Sequence, residues 1–392
     1  MVTWHDMIGF IRCISRSHLT QDDRDNLLHF ADQDVPWDHI VVLADWDGAA
    51  GFVYYNMKRL DLLHLFPEPA LVELKDIYTH TRKRSLAILS EAEALSLALE
   101  RAGIQAVALQ GLSLITTVYK EPGLRQLGDM DLMIRPDHKH GLKEILWQAG
   151  YLAPDKRYPD LLYKEEVWVD IHTHILNLDR IGSRRYLFPE DLSRLWERAV
   201  PFFEQSPGLL ALDPFDNLIA LAAHALKHSY SRMIWLVDIH ESLLKWASGP
   251  DGWEIVVKRS QSWSQERILL YALILLERTF GLKIPYRVKY ELGIDSLSIL
   301  EKHLLSLSLR GFKSRELCYA LWLCNIKGAG NKIKFIKETV FPRDEIMDQI
   351  FDHGSGHIKV ASCARRFGKA ITVMGKGLYQ ALRLSFRSTG NE

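Results

Sequence analysis

The sequence predicts an α+β fold: a small mixed-sheet core at residues 101–178, an N-terminal helical region at 1–100 and a C-terminal helical region at 179–392. Three observations support this prediction. Short apolar runs with strand-like alternation lie between residues 104 and 171. Helical patterns separate those runs, which indicates a sheet packed against helices. On both sides of this stretch, apolar residues recur mainly at helical spacing.

The predicted elements of the core follow one another in a regular order. A helix capped by Ser90, with Glu93 completing a capping box, ends at Gly103. Glu121-Pro122-Gly123 interrupts the next helix, and Lys164-Glu165-Glu166 forms a charged turn between the last two strands. The segments are a strand at 104–109, a helix at 112–119, a strand at 129–134, a helix at 136–148, and strands at 161–163 and 167–171.

Composition is that of an ordinary globular protein, with 392 residues, 47% of them hydrophobic and 25% charged. Basic and acidic residues number 49 each, so the formal net charge is zero. This balance predicts no broad basic surface and argues against long nucleic acid as a partner. Since the sequence has neither a run of about 18 apolar residues nor a signal peptide, we predict a cytoplasmic protein.

Two carboxylates stand in the strand predicted at 129–134. Alternate side chains of a strand share a face, so Asp129 and Asp131 point the same way. Acids about 6–7 Å apart repel each other unless a cation lies between them. Mg²⁺ prefers carboxylate oxygens and commonly leaves room for substrate phosphates. The pair therefore indicates a metal-phosphate site; the alternative is an edge strand with one solvated face.

A third acid stands in the last predicted strand, where Asp170 lies on the face opposite its two apolar neighbours. If this strand pairs with the strand of Asp129 and Asp131, the three acids form one cluster. Such a cluster can bind two Mg²⁺ ions about 4 Å apart, the arrangement used for phosphoryl or nucleotidyl transfer. Asp129 and Asp131 would contact both ions. Asp170 would contact one and is also a candidate general base.

A phosphate-binding turn is the second candidate feature. Gly111 comes just before the helix predicted at 112–119, and a glycine there lets the backbone approach a phosphate. The amides at the start of that helix and the hydroxyl of Ser113 are candidate phosphate donors. Arg125 lies in the loop before the first acid. It can bind a nucleotide phosphate or pair with an acid to hold the loop, and both interpretations are open.

In their order, these motifs resemble the bacterial uncharacterised nucleotidyltransferases of the DNA polymerase β superfamily. That family has a hydrophobic-Lys-Gly motif, then Pro-Gly-Leu-Arg, then Asp-hydrophobic-Asp-Leu, and later an acid two residues before a histidine. Here the motifs fall on Gly111, Pro122 to Arg125, Asp129 with Asp131, and Asp170 with His172. The similarity continues into the helical part at 221–239 and spans about residues 85–245.

The resemblance implies a polymerase β-like core and Mg²⁺-dependent transfer of a nucleoside monophosphate from an NTP, with release of pyrophosphate. It implies no particular acceptor, and the balanced charge favours a small molecule or a peptide. His172 matches the family position and is a candidate for proton transfer or for holding the acceptor. One position departs from the pattern, because Gln110 stands where the family has Lys. Loss of that cation can weaken triphosphate binding.

A polar stripe follows in the helical region after the core. His224, Lys227 and His228 are three and four residues apart, and Arg232 extends the stripe by another turn. Zinc binding by the histidines is one interpretation, although a third ligand at matching spacing is missing; ordinary structural histidines are another. In the superfamily a helical domain often closes over the nucleotide. The resemblance therefore implies triphosphate contacts for Lys227, His228 and Arg232, with Asp238 orienting Arg232 or a histidine.

The last part of the chain carries a basic amphipathic pattern, with apolar residues at helical spacing from Val360 to Leu382. A helix of this kind can contact a membrane surface or a partner. The alternative is a helix that packs on the body of the protein.

The sequence thus predicts a nucleotidyltransferase and leaves two alternatives open. One is a non-catalytic scaffold that binds a nucleotide or a partner, either because Gln110 has abolished activity or because the fold serves another purpose. The other is a nucleotidyltransferase toxin that modifies transfer RNA and arrests growth on expression in a manner that depends on Asp129.

Overall fold

The computed structural model describes residues 2–175, 182–188, 191–309 and 316–341. In that part of the chain, helices α1–α16 accompany a single six-stranded sheet. The α+β prediction is therefore confirmed. No helix in these ranges is long and apolar enough to cross a membrane. The basic pattern at 360–382 lies outside the described residues, so its role stays a prediction.

The helices and strands follow the order that the sequence predicts for the core. The first part contains α1 (Trp4–Ile14), α2 (Gln21–Ala31), α3 (Trp37–Trp46), α4 (Ala50–Arg59) and α5 (Glu68–Arg101). The central part contains β1 (Ala106–Ala108), α6 (Gln110–Thr117), β2 (Met130–Ile134), α7 (Lys139–Gln148), β3 (Leu161–Lys164), β4 (Val167–His172), α8 (Ser193–Arg198), β5 (Val200–Phe203) and β6 (Ser206–Ala211). The last part contains α9 (Pro214–Lys227), α10 (Met233–Trp246), α11 (Pro250–Ser262), α12 (Glu266–Phe280), α13 (Tyr286–Glu291), α14 (Ile299–Leu309), α15 (Glu316–Asn325) and α16 (Ala329–Val340).

The sheet is mixed, with the strand order β3-β4-β2-β1-β6-β5. β2 runs parallel to β4 and β1 runs parallel to β6, while the other neighbours are antiparallel. One face packs on α5 and α7 through a cluster that includes Leu95, Leu132, Leu146 and Ile171. The other face contributes Met133 to a second cluster, formed mainly with the C-terminal helices. Both faces of the sheet are therefore covered.

Two strands lie beyond the core boundary that the sequence predicts at residue 178. β6 pairs in parallel with β1, and β5 pairs with β6 at the edge of the sheet. Neither strand was predicted; β6 begins Ser-Pro-Gly, and its apolar run is too short to distinguish from a helix. Gly208 is required there, since a Cβ at this position would lie 2.1 Å from the backbone oxygen of Ser96 on α5. The sheet therefore extends into the region predicted as helical.

The helix before the core is much longer than the sequence predicts. α5 runs for 34 residues and starts at Glu68, so Ser90 lies inside the helix and the predicted cap is wrong. A capping-box pattern also occurs within helices, where Ser and Glu cost little, and no proline or glycine interrupts this stretch. The Ser96 hydroxyl contacts Ser206 on β6 at 2.8 Å between the two Oγ atoms. α5 therefore joins the N-terminal helices to the sheet.

Candidate functional site

The two strands that carry the predicted acids lie side by side. β2 and β4 are parallel, and Asp131 stands directly opposite Asp170 in the register. Asp129 comes immediately before the first residue of β2. The apolar residues between these acids, such as Leu132 and Ile171, are buried on the opposite face. The pairing that the three-acid hypothesis requires is therefore present, and we call Asp129, Asp131 and Asp170 the acidic cluster.

His172 completes this group. Its Nε2 lies 2.8 Å from Oδ1 of Asp131 and 3.5 Å from Oδ2 of Asp170. The candidate ligand atoms of Asp131, Asp170 and His172 all lie within 4.8 Å of one another. His172 is buried, with 3% of its side chain exposed, whereas the two aspartates are 13% and 21% exposed. The imidazole thus lies beneath two carboxylates that reach solvent.

The charges of the acidic cluster act strongly on one another. Burial, together with the charges of Asp131 and Asp170, raises the pKa of Asp129 to about 7 from the ordinary 3.8. The positive charges of Arg125 and His172 oppose this shift without cancelling it. Burial lowers the pKa of His172, but its hydrogen bond to Asp131 and the charges of Asp131 and Asp170 outweigh burial and raise it. The site therefore has an excess of negative charge.

The residues of the site fit a divalent cation. Carboxylate oxygens are the ligands that Mg²⁺ prefers, and a nearby cation removes the repulsion that raises the pKa of Asp129. The hydrogen bond from His172 can hold the Asp131 carboxylate in a fixed orientation, as groups behind metal ligands commonly do. The structure brings Asp131, Asp170 and His172 close enough together that they could hold a metal ion. Asp129, predicted as a ligand, is adjacent to them.

The predicted phosphate turn is occupied by protein groups. A Cβ at Gly111 would lie 2.5 Å from Nη1 of Arg125, so the close approach of that guanidinium requires a glycine. Ser113 is buried, and its hydroxyl lies 2.7 Å from the Gln110 carbonyl and 3.3 Å from Oδ1 of Asn217. Gln110 opens α6 with a φ of +52°, an uncommon conformation outside glycine. Packing inside the protein thus explains Gly111 and Ser113 directly.

Arg125 forms a buried ion pair. Its Nη2 donates to Oδ2 of Asp238 at 3.0 Å, and the hydroxyl of Tyr119 donates to Oδ1 of the same carboxylate at 2.6 Å. Burial lowers the pKa of Arg125, but the charge of Asp238 and the hydrogen bond to it raise the pKa by more. Of the two interpretations of Arg125, the structure shows pairing with an acid. The partner of Asp238 is accordingly Arg125, so the prediction that Asp238 orients Arg232 or a histidine is wrong.

The polar stripe divides between two places. Lys227 ends α9, and its charge opposes the rise in the pKa of His172. Arg232 instead donates to the Trp46 carbonyl at 2.9 Å and to Oε1 of Gln126 at 3.1 Å. These bonds tie α3 to the loop before the acids. Arg232 thus links α3 to this loop, whereas the charge of Lys227 acts on His172 in the site.

The histidines of the stripe form a packed aromatic group. The rings of His224 and His228 have centroids 4.6 Å apart, and His228 lies 4.7 Å from Trp235. Burial, followed by the charges of His228 and Lys227, holds the pKa of His224 well below its ordinary value, so this imidazole is neutral. In the described residues, the group of acids and imidazoles close enough to hold a metal ion is the one at Asp131, Asp170 and His172. The zinc interpretation of the stripe therefore gains no support from the described residues.

The buried hydrogen bonds that join Arg125, Asp238 and Tyr119 were not predicted from the sequence. Asp238 is 1% exposed and Tyr119 is 2% exposed, so both lie in the interior. The signal for Asp238 is an acid within the apolar run Trp-Leu-Val-Asp-Ile, which predicts a buried carboxylate with a cationic partner. Nothing local in the sequence identifies that partner as Arg125, which is 113 residues away.

Comparison with known proteins and the geometry of the site indicate the same class of protein. A mixed sheet with carboxylates in register on adjacent parallel strands is an arrangement suited to metal-dependent transfer of phosphate groups. The family model described as "uncharacterised nucleotidyltransferase" matches residues 33–281. The chain therefore belongs to this uncharacterised nucleotidyltransferase family. Neither a curated protein nor a solved structure matches the chain.

Proposed function

We propose that this protein is a cytoplasmic, Mg²⁺-dependent nucleotidyltransferase that moves a nucleoside monophosphate from an NTP to a small-molecule or peptide acceptor. Family membership supports a general role in nucleotidyl transfer. The observation that carries the proposal is the register of Asp131 opposite Asp170, with Asp129 beside them at a raised pKa of about 7. Carboxylates that are held close together despite burial and mutual repulsion are typical of functional sites.

The acidic cluster provides the ligands in this proposal. Asp129, Asp131 and Asp170 would hold two Mg²⁺ ions. Bound Mg²⁺ supplies neutralisation of the triphosphate charge and activation of the attacking oxygen. His172 holds Asp131 in place through its Nε2. These roles are consistent with the position of the buried His172 imidazole beneath the partly exposed carboxylates of Asp131 and Asp170.

The transfer step needs a base and a cation from the protein. A hydroxyl of the acceptor loses its proton to Asp170, its oxygen forms a bond to the α-phosphorus, and the bond to the departing pyrophosphate breaks. Lys227 is the candidate partner of the triphosphate, because its charge already acts on His172 at the site. The backbone at the start of α6, next to Gly111, is a further candidate for a phosphate contact.

Transfer from labelled nucleotides tests the proposal. Each of the four NTPs, labelled at the α-phosphate, is incubated with Mg²⁺, the protein and a size-fractionated cell extract as the source of acceptor. We expect label to enter small-molecule or peptide fractions and pyrophosphate to be released, and Asp131→Asn to abolish both. Absence of Mg²⁺-dependent release with every NTP, by a folded protein, would contradict the proposal and favour the non-catalytic scaffold.

The same experiment separates the small acceptor from transfer RNA. Label in the transfer RNA fraction, together with growth arrest on expression that Asp129→Ala abolishes, would replace the proposed acceptor by transfer RNA. Label in the low-molecular-weight fraction without growth arrest is the result we expect.

A further inference from the structure

Asp238 lies at the centre of a buried polar network next to the acidic cluster. It stands on α10 and is 1% exposed. Its carboxylate accepts hydrogen bonds from Tyr119 at 2.6 Å and from Nη2 of Arg125 at 3.0 Å, with Nε of Arg125 at 3.5 Å. Burial and the charge of Asp238 raise the pKa of Tyr119 well above its ordinary value, so its hydroxyl remains a donor. Asp238 is thus the main acceptor of the Arg125 guanidinium.

Each nitrogen of the Arg125 guanidinium contacts a group other than Asp129. Nη1 donates to the carbonyl of Gln126 at 2.6 Å, while Nη2 and Nε point to Asp238. Arg125 is close enough to Asp129 for each charge to shift the pKa of the other. Among the described residues, however, no hydrogen bond joins Arg125 to Asp129. Asp238 therefore holds this cation beside the acidic cluster without letting it bind there.

The loop that carries Arg125 is fixed independently of Asp238. Gln126 donates to Oδ1 of Asp45 at 3.3 Å and accepts from Arg232 at 3.1 Å. On its other side, the guanidinium packs against Gly111. Because the neighbouring Gln126 side chain is held by these bonds, the direction of the Arg125 side chain depends on which carboxylate attracts it. The competing carboxylate is Asp129, which follows Arg125 in the same loop and lies close enough to interact with its charge.

We propose that Asp238 is a positioning residue of the acidic site, which keeps Arg125 turned away from Asp129 so that this carboxylate stays available to a divalent cation. The inference rests on the proposed function, because it assumes that the acidic cluster binds metal. A buried arginine without its partner is costly and pairs with the nearest available carboxylate. In Asp238→Asn that carboxylate is Asp129, and a paired Asp129 is a poor metal ligand.

Titration with Mn²⁺ tests the inference, since Mn²⁺ occupies oxygen-rich sites as Mg²⁺ does. We expect Asp238→Asn to weaken Mn²⁺ affinity by about tenfold or more, within the range for residues behind metal ligands. The double variant Arg125→Gln/Asp238→Asn removes the competing cation as well. We therefore expect its affinity to return to within about threefold of the wild type, a coupling that a double-mutant cycle measures.

A matched control is available in another buried carboxylate. Asp216 on α9 is fully buried and pairs with Arg198 and Arg259. Asp216→Asn removes a comparable charge, so we expect lower thermal stability with unchanged Mn²⁺ affinity. If Asp238→Asn does not fold, Tyr119→Phe decides instead. That variant loosens Asp238 by removing one hydrogen bond, and we expect a smaller loss of affinity of about threefold.

The outcomes distinguish the two proposals. Wild-type affinity in a folded Asp238→Asn, or no recovery in the double variant, would overturn the positioning role and leave the proposed function intact. If only Tyr119→Phe folds and its affinity equals that of the wild type, the positioning role is likewise overturned. Absence of Mn²⁺ binding by the wild-type protein would overturn the proposed function, and the positioning role with it.

Discussion

Helix α9 carries one of two groups of aspartates that differ in how their charge is balanced, and the other group is the acidic cluster. At the beginning of α9, Asp213 and Asp216 face Arg198 and Arg259, with Nε of Arg198 2.7 Å from Asp216 and Nη1 of Arg259 2.8 Å from Asp213. We call these four residues the α9 ion-pair cluster. Its two carboxylates are matched by two guanidinium groups, an arrangement that stabilises a fold without any ligand.

The acidic cluster differs, because burial and mutual repulsion act on its carboxylates. The imidazole of His172 donates a hydrogen bond to Asp131, and the neighbouring guanidinium of Arg125 is held by Asp238. Burial, followed by the charges of Asp131 and Asp170, raises the pKa of Asp129 to about 7. Similar residue types thus occur in two different electrostatic environments. Carboxylates that the fold supplies with cations are structural, whereas carboxylates left with an excess of negative charge indicate a site for a cation from solution.

The largest difference between the two clusters is expected in metal binding. Asp131→Asn should weaken Mn²⁺ affinity by more than about 100-fold, because losing a residue that merely orients a ligand already costs about 10–100-fold. Isothermal titration calorimetry measures this change. Asp216→Asn serves as the control and should bind Mn²⁺ as the wild type does. Equal losses in the two variants would mean that general destabilisation, and not loss of a ligand, explains the effect.

Stability is expected to respond in the opposite way. Asp216→Asn leaves Arg198 and Arg259 without their shared buried carboxylate, so the free energy of unfolding should fall by about 3 kcal/mol. Chemical denaturation without divalent cations provides the value. Asp131→Asn relieves repulsion within the acidic cluster and should leave stability equal or higher. A loss of several kcal/mol in Asp131→Asn would indicate that the acidic cluster is structural after all.

His172 should show an intermediate effect on metal binding. His172→Phe removes the Nε2 hydrogen bond to Asp131 while filling the buried space, and we expect Mn²⁺ affinity to fall by about tenfold. His172→Gln, which keeps a side-chain N–H donor, should retain more of the affinity. If the two variants bind Mn²⁺ equally well, the hydrogen bond does not orient the ligand.

The smallest expected effect concerns pH. The pKa of Asp129 is raised to about 7 in the folded protein from an ordinary 3.8, so the folded state binds this proton more tightly than the unfolded chain. The free energy of unfolding should therefore fall as the pH rises from about 4 to about 7. Asp129→Asn should lack this decline and exceed the wild type at pH 8 by more than about 1 kcal/mol, since one pKa unit corresponds to about 1.4 kcal/mol.

Denaturation curves at several pH values, without divalent cations, measure this effect. Addition of Mg²⁺ should stabilise the wild type at pH 8 more than the Asp129→Asn variant, because the cation replaces the proton on the carboxylate. A wild type whose stability rises steadily from pH 4 to pH 8 would contradict the raised pKa of Asp129.

The local part of the architecture follows from the sequence because it depends on alternation. The strand of Asp131 and the strand of Asp170 alternate apolar and polar residues, which predicts both the strands and the face that the acids share. The sequence does not show that these two strands pair with each other. The structure shows that they are parallel neighbours. β6 escapes sequence prediction because its strand conformation depends on pairing with β1 and on packing beneath α5.

The long-range part of the site could not be predicted in the same way. Arg125 and Asp238 are both visible as unusual charges, yet which cation meets which acid depends on how α10 packs against the core. For this reason the sequence leaves two roles open for Arg125 and assigns Asp238 the wrong partner. The role of Gly111 could not be predicted from the sequence either. A glycine near the start of a helix suggests a phosphate-binding turn, whereas in the structure the guanidinium of Arg125 packs against it.

The central claim is that the acidic cluster binds a nucleotide through a divalent cation. The most direct measurement is calorimetric titration with each nonhydrolysable NTP, with and without Mg²⁺, on the wild type and on Asp129→Asn/Asp131→Asn, with Asp216→Asn as the control. We predict Mg²⁺-dependent binding that the double variant loses and Asp216→Asn keeps. NTP binding that is indifferent to Mg²⁺ and to the two acids, or no binding to any NTP by the folded protein, would contradict the claim.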